Sequence, residues 1–288
     1  MLLTTLISVD DLAPHIQQPN WVILDCRHDL ANPEAGRAAY DAGHIPGAQF
    51  AHLDTDLAGA KTNHAGVFQG RHPLPERAEF IARLRAWGVN PDSQVVVYDA
   101  HSGMFAARLW WMLRWVGHAT VAVLDGGLPA WVAAHHAVTQ NVAAVQPGTI
   151  ADRAALAAVA HSAEVAANLK TKQKILVDAR SPDRFRGENE TMDPIGGHIP
   201  GAKNRFFKEN LQADGSFKAA EQLHAELSQL VGDAQQAIMQ CGSGVTACHN
   251  LLALEVAGMP GAALYPGSWS EWCSDPAHPV EVGPVEVS

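Results

Sequence analysis

The 288-residue chain is 47% apolar and 17% charged, with a formal charge of -10 and an isoelectric point of about 5.8. That composition excludes a disordered polymer and leaves room for two cored domains. The absence of a basic stripe interleaved with aromatics excludes a nucleic-acid partner, and the longest apolar runs are too short to cross a bilayer, so no membrane association is expected. Four cysteines do not make a disulfide framework, which points to a reducing cytoplasm. Against the acidic background, an anionic substrate needs a local cationic pocket.

In chain order, Met1 to Asp11 has no basic start and is broken by Asp10 and Asp11, so it is not read as a secretory signal. A short apolar strand, Val22 to Asp25, ends in Asp25-Cys26-Arg27, and the turn Gly43-His44-Ile45-Pro46-Gly47-Ala48 follows. The stretch Ala58 to Gly70 is rich in Gly and Ala and reads either as a cover over a site or as an ordered loop. Phe80, Ile81, Leu84 and Trp87 share one face of an amphipathic helix. Val95 to Asp99 is a second strand leading through a tight turn to Gly103 and a helix. Val121 to Leu124 is a third, followed by a Gly turn and a short helix bearing Trp131.

The pattern then recurs. Val177-Asp178-Ala179-Arg180 and Gly197-His198-Ile199-Pro200-Gly201-Ala202 repeat the strand end and the turn. Leu223 and Leu227 mark the amphipathic helix, Ala237 to Gln240 the second strand, and Ala262 to Tyr265 the third, ahead of Trp272. Gly103 and Gly244, Gly127 and Ser268, and Trp131 and Trp272 each differ by 141 positions. The boundary falls in the small and polar stretch Thr139 to Gly148. The expected division is therefore a domain over 1–140, a linker over 141–150 and a domain over 151–288. Strands alternating with helices across short loops predict an α/β protein, each domain a parallel sheet flanked by helices.

Ligands of such sheets sit at the carboxyl ends of the strands, where Cys241 follows Gln240. Cys241-Gly242-Ser243-Gly244-Val245-Thr246 leads into the helical pattern Ala247 to Leu254. A cysteine in a Gly-containing turn before a helix meets converging N–H groups, which favour a thiolate and hold an anion. Gly242 and Gly244 let those amides form a nest. With the repeats aligned, Ala100 stands opposite Cys241, so the first half lacks the nucleophile and one site per chain is expected.

The two Gly-His-Ile-Pro-Gly-Ala segments, the cysteine loop, and Gly267-Ser268-Trp269-Ser270-Glu271-Trp272 together resemble the tandem-domain sulfurtransferases of the rhodanese family. The loop itself is similar to that of the members that use 3-mercaptopyruvate; thiosulfate-preferring members carry cations where Gly242 and Ser243 stand. The resemblance implies two rhodanese domains and a Cys241 persulfide formed from a small anionic sulfur donor. The sulfur then passes to a thiol, thioredoxin or cyanide, with pyruvate released and no cofactor required. It also implies a proton relay of Ser243, His72 and Asp54, with Arg184 gripping the donor carboxylate beside the loop positions Gly242, Gly244, Val245 and Thr246. A second arginine of the family, nine residues after Arg184, is replaced by Asp193.

Plainer readings stand beside these. Cys26, Cys248 and Cys273 are assigned to structure, as are the repeated His44 and His198 and the Asp178–Arg180 pair, while Arg186 is a solvated side chain. The histidines show no ligand spacing with cysteine or carboxylate, so no metal is expected. Thiosulfate:cyanide sulfur transfer is the alternative within the family. A cysteine phosphatase would need an arginine six residues after the cysteine, where Ala247 stands. A non-catalytic sulfur-sensing or binding module would not require an intact cysteine loop.

Overall fold

The computed structural model describes residues 2–284. Among the described residues, ten strands form two five-stranded parallel sheets. The first contains β1 (Leu6–Ile7), β2 (Trp21–Asp25), β3 (Gln49–Phe50), β4 (Gln94–Tyr98) and β5 (Val121–Leu124), in the order β1-β5-β4-β2-β3. The second contains β6 (Ala158–Val159), β7 (Ile175–Asp178), β8 (Lys203–Asn204), β9 (Ala237–Gln240) and β10 (Ala263–Leu264), in the equivalent order β6-β10-β9-β7-β8. The central strands are the apolar runs of the sequence: every residue of β4, β5 and β9 is buried. Burial on both faces is what helical crossovers impose on a parallel sheet. The registers repeat as well: Asp25 lies beside Tyr98, and Asp178 beside Gln240.

The chain divides into two compact units that follow spatial contacts rather than a single cut. The first comprises Met1–Gly59, Leu74–Leu156 and Gln212–Phe217; the second comprises Ala60–Pro73, Ala157–Leu211 and Lys218–Ser288. The stretch around 150 is bound to the first unit: the Ile150 N–H donates to the Val89 carbonyl at 3.1 Å, the Leu156 N–H to the Arg114 carbonyl at 2.9 Å, and Arg77 pairs with Asp152. Residues 60–73 are ordered against the second unit. They form a small hairpin with a Thr62–Phe68 bridge, and at Gly70 (φ +98°) any Cβ would lie 2.8 Å from the Gly267 carbonyl oxygen.

The repeated motifs brace the strand ends. Arg27 reaches back to Asp25 (2.7 Å) and to the Gly43 carbonyl (2.7 Å). Arg180 makes the same contacts with Asp178 (2.6 Å) and the Gly197 carbonyl (2.7 Å), and its guanidinium also lies over the Trp269 ring. His44 stacks on Tyr40 and bonds its carbonyl; His198 does so with Phe185. Both histidines thus serve the turns. Because Asp178 and Arg180 are both buried, removing one charge strands the other. Asp178→Asn is expected to destabilise the chain by about 3–5 kcal/mol. Urea unfolding checks this; a loss under about 1 kcal/mol would show that the pair does not brace the fold.

In the second unit Tyr265, Trp269 and Trp272 pack with Phe185, Ile199 and Ile238 into one core cluster. This cluster forms a rigid base for the segment that contacts the cysteine loop. The two-residue edge strands β1, β3, β6 and β8 have no counterpart in the sequence reading, because two residues are too few to show a period.

Candidate active site

β9 delivers Cys241 to the carboxyl end of the second sheet, and the helix Ala247–Val256 begins six residues later. The loop between them is pinned from the 267–270 turn. The Cys241 N–H donates to Ser268 Oγ (3.1 Å), the Trp269 N–H to the Cys241 carbonyl (3.0 Å), and the Ser270 N–H to the Gly242 carbonyl (2.9 Å). Ser268 holds a positive φ of +55° with its hydroxyl anchored on the Tyr265 carbonyl. Gly244 (φ +75°) passes so close to Pro266 that a Cβ would meet its carbonyl oxygen at 2.4 Å. Glycine is therefore required there on two counts. Among the described residues, the amides of Gly242, Ser243, Val245 and Thr246 have no backbone acceptor. Unpaired amides ahead of a helix start are groups that can stabilise a thiolate or a persulfide.

Charge reaches this loop from elsewhere in the chain. Burial by itself would lower the pKa of Arg180, but Asp178 and Glu190 hold it above its usual value. Arg184 bonds Glu190 through Nε (3.1 Å) and Nη2 (2.8 Å) and lies 3.5 Å from Asp193. Burial works to raise Glu190, yet the Met192 N–H and Arg184 together keep it below the ordinary carboxylate value. Arg71 bonds Asp193, whose carboxyl burial pushes upward against the pull of Arg71. The other cysteines are buried as well. Cys26 is pushed up by burial and then by Asp25, and burial takes Cys273 to about 11; Cys248 donates to the Gly244 carbonyl at 3.4 Å.

The sequence-derived candidates are placed as follows. Ser243 Oγ lies 2.7 Å from His72 Nδ1; both are buried, and they sit 171 positions apart in the chain. Arg184 lies over Gly242, with its Nη atoms 3.6 and 3.7 Å from where a Cβ would stand. Gly244, Val245 and Thr246 complete the turn into the helix. Asp54 belongs to the first unit, on the short helix Leu53–Asp56, with its carboxylate 3.8 Å from His28 Nε2. Arg186 is paired with Glu188 at the surface (2.7 Å). The sequence reading missed Arg71, Ser268 and Ser270. Arg71 was legible only as the neighbour of His72, and the serines only as part of a repeated motif.

Sequence spacing gave no metal pattern, but the tertiary fold gathers His28, His52 and Asp54 in the first unit with one ligand atom each within 4.8 Å of one another. His52 Nδ1 accepts the Asp54 N–H at 3.1 Å, so that lone pair is already engaged. No described helix is long and apolar enough to cross a membrane.

Two parallel-sheet repeats, with a cysteine loop at a strand end of the second, define a duplicated α/β sulfur-handling scaffold. Comparison with known proteins agrees: residues 8–134 and 161–275 match the rhodanese-like domain, and the chain belongs to the rhodanese family. It is 46% identical over 281 residues to a probable 3-mercaptopyruvate sulfurtransferase of Pseudomonas aeruginosa, covering 96% of this chain and 98% of that one. It is 34% identical to the thiosulfate sulfurtransferase of Mus musculus, covering 94% and 93%. The solved 3-mercaptopyruvate sulfurtransferase from Leishmania major superposes with a TM-score of 0.83 at 31% identity, covering 94% of this chain and 74% of that one.

Proposed function

We propose that this chain is a sulfurtransferase that takes sulfur from 3-mercaptopyruvate through a persulfide on Cys241. The observation that carries the reading is the 2.7 Å pair of His72 Nδ1 and Ser243 Oγ, two residues beyond the cysteine. The Cys241 thiolate attacks the donor sulfur, the carbon–sulfur bond breaks, and its electron pair leaves on the enolate of pyruvate. That carbanion equivalent needs a proton, which Ser243 delivers with His72 behind it. The sulfur remains as Cys241–S–SH, which ionises among the loop amides. A thiolate acceptor, thioredoxin being the proposed protein partner in a reducing cytoplasm, attacks the outer sulfur and returns Cys241 as thiolate. Arg184, Gly242, Gly244, Val245 and Thr246 are assigned to donor binding.

The charge balance supports mercaptopyruvate over thiosulfate. Arg71 and Arg184 are offset by Asp193 and Glu190, and Gly242 and Ser243 are neutral, so little net positive charge is available for a dianion. Sulfite, the leaving group from thiosulfate, also needs no carbon-bound proton.

The test is kcat/KM for both donors with one thiol acceptor, in the native chain and in His72→Gln. Mercaptopyruvate is expected to be the better donor, and the variant to lose about 10²–10⁴-fold with it, the usual yield of a positioned acid. The loss with thiosulfate is expected to be smaller. A native preference for thiosulfate, or an equal loss for both donors, overturns the donor assignment.

A further inference from the structure

The arginine expected nine residues after Arg184 is missing, and the residue in its place, Asp193, has a side chain only 3% exposed and is bonded to Arg71. Arg71 comes from a distant part of the chain but from the same compact unit. Its backbone is fixed by an N–H bond to Ser270 Oγ (3.1 Å), on the turn that also pins the cysteine loop. Gly70, just before it, lies so close to Gly267 that only glycine fits.

The guanidinium is thereby aimed. Arg71 gives Nη1 to Asp193, while Nη2 lies 2.8 Å from where a Cβ on Gly242 would stand. The Nη atoms of Arg184 lie 3.6 and 3.7 Å from that same point. Two guanidinium groups thus converge over the residue after the nucleophile, each tethered to carboxylates that hold its orientation. Among the described residues, the buried Nε of Arg71 has no hydrogen-bond partner. Like charges are not brought together this way without compensation, and the compensation stops at their carboxylate-facing sides.

The geometry points to Arg71, held by Asp193, as the second cation that binds the donor's carboxylate, opposite Arg184. This inference rests on the mercaptopyruvate reading given above. The acid stands where the resemblance places a base, and the base arrives from the 60–73 segment. Gly242 leaves the space over the loop open for the anion, since any side chain there would press on Arg71. A fork of N–H groups recognises a carboxylate in a way that lysine cannot copy.

The test uses two donors of the same chemistry, mercaptopyruvate and the carboxylate-free 1-mercaptopropan-2-one, with native chain, Arg71→Met and Arg71→Lys. The readout is the ratio of kcat/KM for the two donors, with KM and kcat resolved. In Arg71→Met the ratio is expected to fall about 10–100-fold, the worth of a hydrogen bond to a charged group, with most of the change in KM for mercaptopyruvate. Arg71→Lys is expected to fall between native and Met. A ratio that stays within about twofold of native in both variants overturns the inference, as does an equal loss for both donors, which marks a purely structural arginine. If the native chain forms a Cys241 persulfide from mercaptopyruvate, such a result removes this inference alone. If it forms none, the functional reading fails first and takes the inference with it.

Discussion

Cys241→Ser is expected to abolish sulfur transfer, with a fall in rate of more than about 10⁴-fold, while leaving the fold intact. The side chain is 2% exposed, and the loop around it is held by backbone and serine bonds that do not involve the sulfur. A hydroxyl fits the same space but is not ionised at neutral pH and cannot hold a sulfane sulfur. Mass spectrometry of the native chain after donor exposure should show a gain of about 32 Da, one sulfur atom, on the peptide carrying Cys241. The serine variant should show none. Cys26, Cys248 and Cys273 are buried in the same molecule and serve as internal controls. An adduct on one of them, or a serine variant with native turnover, would move the chemistry away from this loop.

Gln240→Asp is expected to lower persulfide formation at neutral pH by about 10–10³-fold, and the reason lies in the inactive repeat. At the offset of 141 positions, Gln240 corresponds to Asp99. The Asp99 carboxylate occupies its own loop, accepting N–H bonds from His101 (2.7 Å), Gly103 (3.0 Å), Phe105 (2.8 Å) and Ala106 (2.9 Å). The first repeat therefore lacks a nucleophile and also fills its amide concavity with an internal anion. In the second repeat Gln240 is neutral and fully buried, and neither its Nε2 nor its Oε1 finds a hydrogen-bond partner among the described residues. An aspartate there would draw in the amides that the thiolate needs and place a like charge beside it. The sign follows directly: a like charge beside the sulfur opposes the thiolate, and rising pH offsets that opposition. The pH profile of persulfide formation should therefore move upward, with the high-pH rate largely retained. Gln240→Asn, neutral and one methylene shorter, separates this from a packing defect. An unshifted profile in the aspartate variant would show that the amides do not govern the thiolate.

The repeats carried most of the fold into the sequence. Apolar runs such as Val95 to Tyr98 and Ala237 to Gln240 announce central strands because burial on both faces leaves no polar interruption. Their alternation with helical patterns then forces parallel pairing. Edge strands such as Lys203–Asn204 were invisible because pairing with β7, not a pattern of their own, makes them strands. The cysteine loop was legible because its glycines answer local backbone demands, as Gly244 shows against Pro266. Arg184 and His72 entered through resemblance; Arg71 did not enter at all, since a lone arginine in a surface segment carries no local signal.

The amino-acid order alone thus determined what is local or periodic: two α/β repeats, a strand–turn–helix site for Cys241, and the loss of that cysteine from the first repeat. Only the tertiary structure decided which distant groups surround the thiol. It set His72 against Ser243 across 171 positions, aimed Arg71 at Gly242 by way of Asp193, and left Gln240 uncharged where Asp99 fills its own loop. The physical reason is range. Backbone conformation and strand burial are fixed by neighbours within a few residues, whereas hydrogen bonds and ion pairs depend on distances that exist only once the chain has closed on itself.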